Sequence, residues 1–418
     1  MREQTQRPGE GRSEVVVPLR RRSANGDRGA LDAIVVGGGA IGLACAWRAA
    51  RRGLRVRVLE RDRPGAGASG VAAGMLAPVG EANWGEGGLR RIAIASARVW
   101  PEFASELAAD SELEVGYQAC GALHVALDRD EANELRRRFE LIESLDLGVA
   151  WLRASECRAL EPGLAPACAA GIDAPGEATV DPSLLVPALV AAVENRGGQV
   201  FPEAEVGDAL IADGRVVGVA TSDGREHRAN HVVLAAGAWS GTVTWLPRDA
   251  RPPVRPVKGQ ILTLRGSPDS LPCERIVASE RVYLVPRPDG RLIVGATVEE
   301  RGFDVQVTAG GVHELLREAY RALPDVAEME LVEAVAGLRP GTPDNAPLIG
   351  PGGFDGLLLA TGHHRNGLLM APLTAEAIAA FLASEPPPEV ARLAHPGRFA
   401  DRGTPGLALT PSAEESPQ

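Results

Sequence analysis

Thirty residues near the amino terminus, Leu31 to Glu60 (LDAIVVGGGAIGLACAWRAARRGLRVRVLE), constrain the fold more than any other stretch of the chain. Ala33–Val36 reads as a short buried strand, Gly37, Gly39 and Gly42 stand at G-x-G-x-x-G spacing, and Ala40–Arg52 reads as a helix. Gly53 stops that helix, Val56, Val58 and Leu59 supply a second strand, and Glu60 ends it. The sum is a complete βαβ unit of the kind that holds a dinucleotide. Its first glycine allows a sharp turn out of the strand, the second brings backbone N–H groups to a pyrophosphate, and the third lets the helix lie close to the sheet. The helix N-terminus adds unpaired donors and a partial positive charge. Glu60, about 20 residues beyond the glycines, is placed to accept hydrogen bonds from ribose hydroxyls, and an acid there disfavours a 2′-phosphate.

At 418 residues the chain is long enough for two domains, taking roughly 150 residues for each. Its net charge of −11 argues against a nucleic-acid partner, because phosphate binding needs a basic face. The five cysteines, Cys45, Cys120, Cys157, Cys168 and Cys273, show no C-x-x-C and no metal-type spacing, so no metal is expected and reduced thiols in a cytoplasm are. No apolar run is long enough to span a bilayer, and the first residues lack the order of a secretion signal. A cytoplasmic protein with no membrane partner is therefore expected. A homo-oligomer is compatible with the sequence.

Met1–Ala30 is polar and arginine-rich and reads as a disordered extension. After Glu60 the small-residue run RDRPGAGASGVAAGMLAP lets backbone approach a planar ligand. Helices are expected at Leu89–Leu107, Glu131–Leu145 and Asp181–Asn195, the last opened by Asp181-Pro182. Ile211–Thr221 reads as a hairpin about an Asp-Gly turn. In His231–Ser240 an apolar strand runs into Ala235-Ala236-Gly237, at the carboxyl end where open α/β sheets bind ligands. From Val254 to Val335 short strands and turns predict an antiparallel sheet, including a strand pair about Pro288–Gly290. Arg339 follows in Leu-Arg-Pro-Gly, read as a rigid turn, and serves equally well as a carboxylate clamp or as a structural arginine. A strand Leu357–Ala360, the glycine turn GHHRNG and a helix Thr374–Ala383 complete the pattern. A second G-x-G-x-x-G with its own βαβ context is absent, which favours one permanently held nucleotide.

Seven stretches, VVGGGAIG, ASGVAAGMLAP, VVLAAGAWSG, RPVKGQ, YLVPRPDGRLIVGATVE, AGLRPGTPDNAPLIG and ATGHHRNGLLMAP, together resemble the FAD-dependent D-amino acid oxidase family. The branch they are most similar to is the glycine oxidases of thiamine biosynthesis, and the likeness covers about Ala33 to Ala383. The resemblance implies an α/β fold, a Rossmann-type FAD-binding domain with a second substrate domain built on an antiparallel sheet. The division expected is a tail at 1–30, FAD-binding segments at 31–114, 179–246 and 337–385, substrate segments at 115–178 and 247–336, and a tail at 386–418.

Carried over by position, Gly37, Gly39, Ala40, Ile41, Gly42, Glu60 and Arg61 would hold the ADP half of FAD. Ala68, Ser69, Ala73, Gly74 and Met75 would follow the pyrophosphate to the flavin, and Val206 would meet the adenine. His363, His364, Arg365, Asn366, Gly367, Leu368 and Leu369 would form the turn at the flavin ring. Arg339 would bind the substrate carboxylate, with Tyr283 beside it and Arg365 also touching substrate. The family's chemistry implies that hydride passes from the α-carbon of a small amino acid to the flavin. Molecular oxygen would then be reduced to peroxide, and the imine would yield glyoxylate or feed thiazole synthesis. Glycine is the substrate implied, with sarcosine and small D-amino acids beside it. Val298 and Arg281 depart from residues the branch often carries, and no cysteine follows Cys273, which favours noncovalent FAD. The readings set against this are a dehydrogenase that feeds a quinone or carrier protein, and a flavin domain acting on modified tRNA.

Overall fold

The computed structural model describes residues 31–80, 84–145 and 147–399; the extension read at 1–30 lies outside them. Strand β1 (Leu31–Val36), helix α1 (Ala40–Arg51) and strand β2 (Val56–Leu59) form where the glycine pattern puts them. Gly53, at φ +79°, closes α1 with paired bonds from its own N–H to Ala50 O (2.9 Å) and from Leu54 N–H to Ala49 O (3.2 Å). Only a residue without a Cβ adopts that left-handed turn without strain.

β1 and β2 lie in an eight-stranded sheet. Gln199–Phe201, β2, β1, Glu226–Leu234 and Leu357–Thr361 run parallel in that order. Val36 pairs with both Leu59 and Leu234, and Leu234 pairs with Leu359, so four strands end level. The hairpin Val206–Ala212/Arg215–Thr221 pairs antiparallel with the start of the Glu226–Leu234 strand, and Leu348–Pro351 pairs antiparallel with Leu357–Thr361. Ala33 and Val35 pack into one core with α1 and the helices Gly87–Ser111, Pro182–Asn195 and Gly367–Leu382, while Ile34 and Val36 pack into another. Burial on both faces explains why these strands are runs of apolar residues instead of alternating ones.

The Gly367–Leu382 helix begins well before the Thr374 start expected from sequence, where Pro372 reads as a boundary. Pro372 lacks the N–H that would bond the Leu368 carbonyl. The Trp100 indole takes that place, donating to Leu368 O (3.2 Å) and Leu369 O (3.0 Å), and Ser96 Oγ accepts from Leu373 N–H at 3.4 Å. A partner one turn apart on the Gly87–Ser111 helix thus lets the proline stay inside.

A second eight-stranded sheet takes Glu330–Gly341, Arg255–Arg265, Arg291–Gly295, Tyr283–Pro286, Ile276–Ala278, Ala122–Ala126, Ala170–Ala174 and Ala150–Arg153 in that order. It is antiparallel except where Ile276–Ala278 runs parallel to Ala122–Ala126. Arg339 and Pro340 lie within its edge strand, not in a turn, since an edge position spares proline a ladder donor. A three-stranded sheet of Met75–Leu76, Ala178–Val180 and Tyr117–Gln118 adjoins the two. The chain read as a tail beyond 386 packs back as far as Phe399: Arg398 donates to Pro347 O (2.9 Å) and Ala346 O (2.8 Å) and pairs with Asp344. All five cysteines are free thiols. No helix among the described residues is long and apolar enough to cross a membrane.

A Cβ on Gly42 would strike the Gly37 carbonyl, whereas one on Gly53 meets open space. Gly42→Ala should therefore cost about 3 kcal/mol in urea unfolding and empty the nucleotide site, whereas Gly53→Ala should cost about 1 kcal/mol and leave cofactor content unchanged.

Candidate active site

The level ends of the parallel strands open into one cavity of about 900 Å³, lined by Val36, Leu59, Ala235 and Thr361 from the four strand ends. Its floor is nearly bare backbone. A Cβ on Gly37 (φ +114°) would strike the Ala235 carbonyl, and one on Gly38 would lie 2.8 Å from the Glu60 side chain. Glu60 accepts from Gly38 N–H at 2.6 Å and from Asp62 N–H at 2.9 Å, fixing the carboxylate at the rim of the loop. Ser69 Oγ accepts from Ala40 N–H (2.9 Å), tying the small-residue segment to the first turn of α1. Ser240 and Thr361 share a hydroxyl bond of 2.7 Å, and Thr361 also donates to Gly237 O (3.2 Å), joining two strand ends.

The opposite wall is one face of the second sheet. Register pairs Gly337 with Gly259, Ile261 with Gly295, and Gly295 with Tyr283. Since side chains alternate along a strand, Arg339, Gly337, Gly259, Ile261, Gly295 and Tyr283 point to the same side, and all six line the cavity. A Cβ on Gly259 would collide with the Arg339 guanidinium, and one on Gly295 with the Tyr283 ring. The two glycines are seats for the two polar side chains. Arg339 Nη1 donates to Thr297 O (3.0 Å) and Lys258 O (3.4 Å); its Nη2 makes no hydrogen bond among the described residues. Arg339 is thus anchored through one nitrogen, as a structural arginine would be, and at the same time lines the cavity.

The residues singled out by sequence mostly converge here. Gly37, Gly39, Ala40, Ile41, Glu60, Arg61, Ala68, Ser69, Ala73, Gly74, Met75 and Val206 all line the cavity, as do Tyr283, Arg339 and the turn from His363 to Leu368. Gly42 and Leu369 do not: Gly42 lies beneath the loop against Gly37, and Leu369 is buried in the helical core. Arg365 faces the cavity from the far turn and pairs with Glu86 at 3.4 Å. Two features escaped the sequence reading. Arg61 lies 3.9 Å over the Trp239 ring, a cation–π contact that encloses the wall, and glycines inside the strands at 259 and 295 were the available sign of a close approach.

His363 and His364 differ in surroundings. His363 is buried and its Nε2 bonds Thr374 Oγ1 at 2.9 Å; burial pushes its pKa down to about 3. Burial, then the charges of Arg365, Arg339 and Arg255, push His364 down to about 4. Both imidazoles are neutral at pH 7. No group of three or more metal-type side chains assembles among the described residues.

A glycine cradle at a helix N-terminus with a fixed acid beside it defines a dinucleotide-binding protein, and an arginine and a tyrosine line the facing wall of the same cavity. The family described as FAD dependent oxidoreductase matches residues 32–381, and the chain belongs to it. It is similar to the bifunctional protein ThiO/ThiG of Trichormus variabilis, 36% identical over 92% of this chain and 58% of the relative. It is also similar to a glycine oxidase of Geobacillus kaustophilus, 34% identical over 82% of this chain and 90% of that one. The crystal structure of glycine oxidase from the same organism superposes with a TM-score of 0.79 at 32% identity, covering 85% of this chain and 95% of the other. The chain spans little more than half the length of the bifunctional relatives it matches. The chain thus has the mixed α/β fold of a family of FAD-dependent oxidoreductases, and the bare backbone of the cradle fits that cofactor.

Unfolded histidine takes up its proton near pH 6.5, whereas His363 and His364 do so only near pH 3 and 4. Their contribution is complete above pH 6.5 and is lost as pH falls through that window. The melting temperature should drop steeply between pH 6.5 and 4, and His363→Gln, which can still meet Thr374, should make the profile flatter.

Proposed function

We propose that this protein is an amino acid oxidase whose substrate is glycine, with sarcosine and small D-amino acids as further substrates. One observation carries the reading: Arg339 and Tyr283 share a sheet face and line the same cavity as the glycine loop. A small amino acid offers a carboxylate and an amine on one carbon. A guanidinium fork holds the carboxylate by charge-assisted bonds, the tyrosine hydroxyl donates to it, and Arg365 on the facing turn limits the space beyond. The names of the relatives support glycine as substrate.

FAD held by the Gly37–Gly42 loop and Glu60 would supply a hydride acceptor and, in an oxidase, the means of reducing oxygen to peroxide. The chain's own task is to fix the α-carbon and exclude water. Gly259 and Gly295 let Arg339 and Tyr283 lie flat against the sheet, and Ile261 on the same face supplies apolar wall beside them. The neutral histidines leave the guanidinium as the dominant charge facing the carboxylate. We assign the segments 31–114, 179–246 and 337–385 to FAD and the segments 115–178 and 247–336 to substrate, with the adenine beside Val206. Noncovalent attachment is supported by the absence of any cysteine among the described residues lining the cavity. The product imine would give glyoxylate or enter thiazole synthesis, and the site of action would be the cytoplasm.

The test is anaerobic mixing of the yellow protein with glycine, sarcosine or D-alanine, with bleaching by glycine expected. Failure of every free amino acid to reduce the flavin overturns the reading, and peroxide release in air separates an oxidase from a dehydrogenase. Arg339→Ala should raise KM for glycine roughly 100-fold, about 2.8 kcal/mol, with FAD retained; Tyr283→Phe should raise it roughly tenfold.

A further inference from the structure

Behind the cavity wall at Ala73–Met75 lies a cation that none of the chemistry above uses. Arg287, in the turn after Tyr283–Pro286, is only 2% exposed. Its Nη2 donates to Ala73 O (2.6 Å) and Val180 O (3.1 Å), while Nε and Nη1 have no hydrogen-bond partner among the described residues. The nearest carboxylate, Asp181, stands 4.0 Å from Nε and is shared: one oxygen pairs with Arg291 at 2.5 Å and the other caps a helix through Ser183 N–H at 2.9 Å. An arginine with two unsatisfied nitrogens is costly to bury. Its cost is incurred directly behind residues that face the cofactor cavity.

The same guanidinium dictates the local chain. Gly74 is held at φ +79°, and a Cβ there would meet both the Val180 carbonyl and Arg287 Nη2. Val180 N–H donates back to Gly74 O at 2.8 Å. Arg287 therefore links the cavity wall, the Ala178–Val180 strand and the second sheet at one point.

We propose that Arg287 is a positioning residue for FAD, fixing the Ala73–Met75 wall through the Ala73 carbonyl and placing an incompletely compensated positive charge behind it. Accepting a hydride adds one negative charge to the cofactor, so an enclosed cation favours the reduced form. Asp181 opposes that effect. The inference rests on FAD binding and not on the choice of amine, so it stands or falls apart from glycine turnover.

The test uses the holoenzyme and its reversibly deflavinated form. Arg287→Met should weaken FAD binding at least tenfold by fluorescence titration and lower the two-electron midpoint potential by about 30 mV, a tenfold shift in the redox equilibrium. Asp181→Asn, which keeps an acceptor for Ser183, should move the potential the opposite way. Arg287→Lys should keep the potential near that of the parent while FAD affinity falls, because lysine restores charge but not the forked contact to two carbonyls. Unchanged affinity and potential in Arg287→Met, even with a lower melting temperature, overturns the proposal, as does a shift of the same sign in Asp181→Asn. If Arg287→Met does not fold, parent-like FAD affinity in Arg287→Lys overturns it.

Discussion

The close approach of Gly37 to the carbonyl of Ala235 is the constraint on which the rest of the molecule depends. It brings the end of the first strand against the end of its parallel neighbour with no side chain between them. Level strand ends follow, and with them a cavity floor made of main chain. A dinucleotide can be bound by backbone donors only where the backbone is bare. Each further element meets that floor from one side: Ser69 ties in the small-residue segment, Thr361 ties in the last strand, and the second sheet forms the wall above.

Much of this was legible in the sequence because the signals were local. The βαβ unit, the Ala235–Gly237 strand end and the Pro288–Gly290 hairpin each declare themselves within about a dozen residues, through glycine spacing, strand periodicity or turn chemistry. What failed locally was settled by partners distant in sequence. Pro372 looks like a helix boundary until Trp100 and Ser96 supply the missing bonds. Arg339 looks like a turn residue until Arg255–Arg265 pairs beside it and puts Pro340 on a sheet edge. Short strands such as Ala150–Arg153 and Ala170–Ala174 carry too little pattern of their own, and the parallel join of Ile276–Ala278 to Ala122–Ala126 has no sequence sign.

The candidate site shows the same division. Residues on the glycine loop and the His363–Leu368 turn were found by motif, and the structure brings them to one cavity with Tyr283 and Arg339. Their supports were not found. Gly259 and Arg287 act by contact with residues far along the chain and Gly295 by contact with Tyr283 across its hairpin, and their chemistry is unremarkable until the register is known. Polar groups at the cavity are legible by type, while the residues that seat them are legible only by place.

The order of the strands also governs when this protein becomes competent during synthesis. β1, α1 and β2 are synthesised before the strands that flank them and can pair locally. The Glu226–Leu234 strand that completes the floor arrives about 170 residues later, and Leu357–Thr361 about 130 residues after that. Non-local pairing of this kind is slow, and partly built sheets expose unpaired edges. The nascent amino-terminal unit therefore has the fingerprint of a nucleotide site but only half its walls, and cofactor capture belongs to the final stage of folding, after translation has passed Thr361.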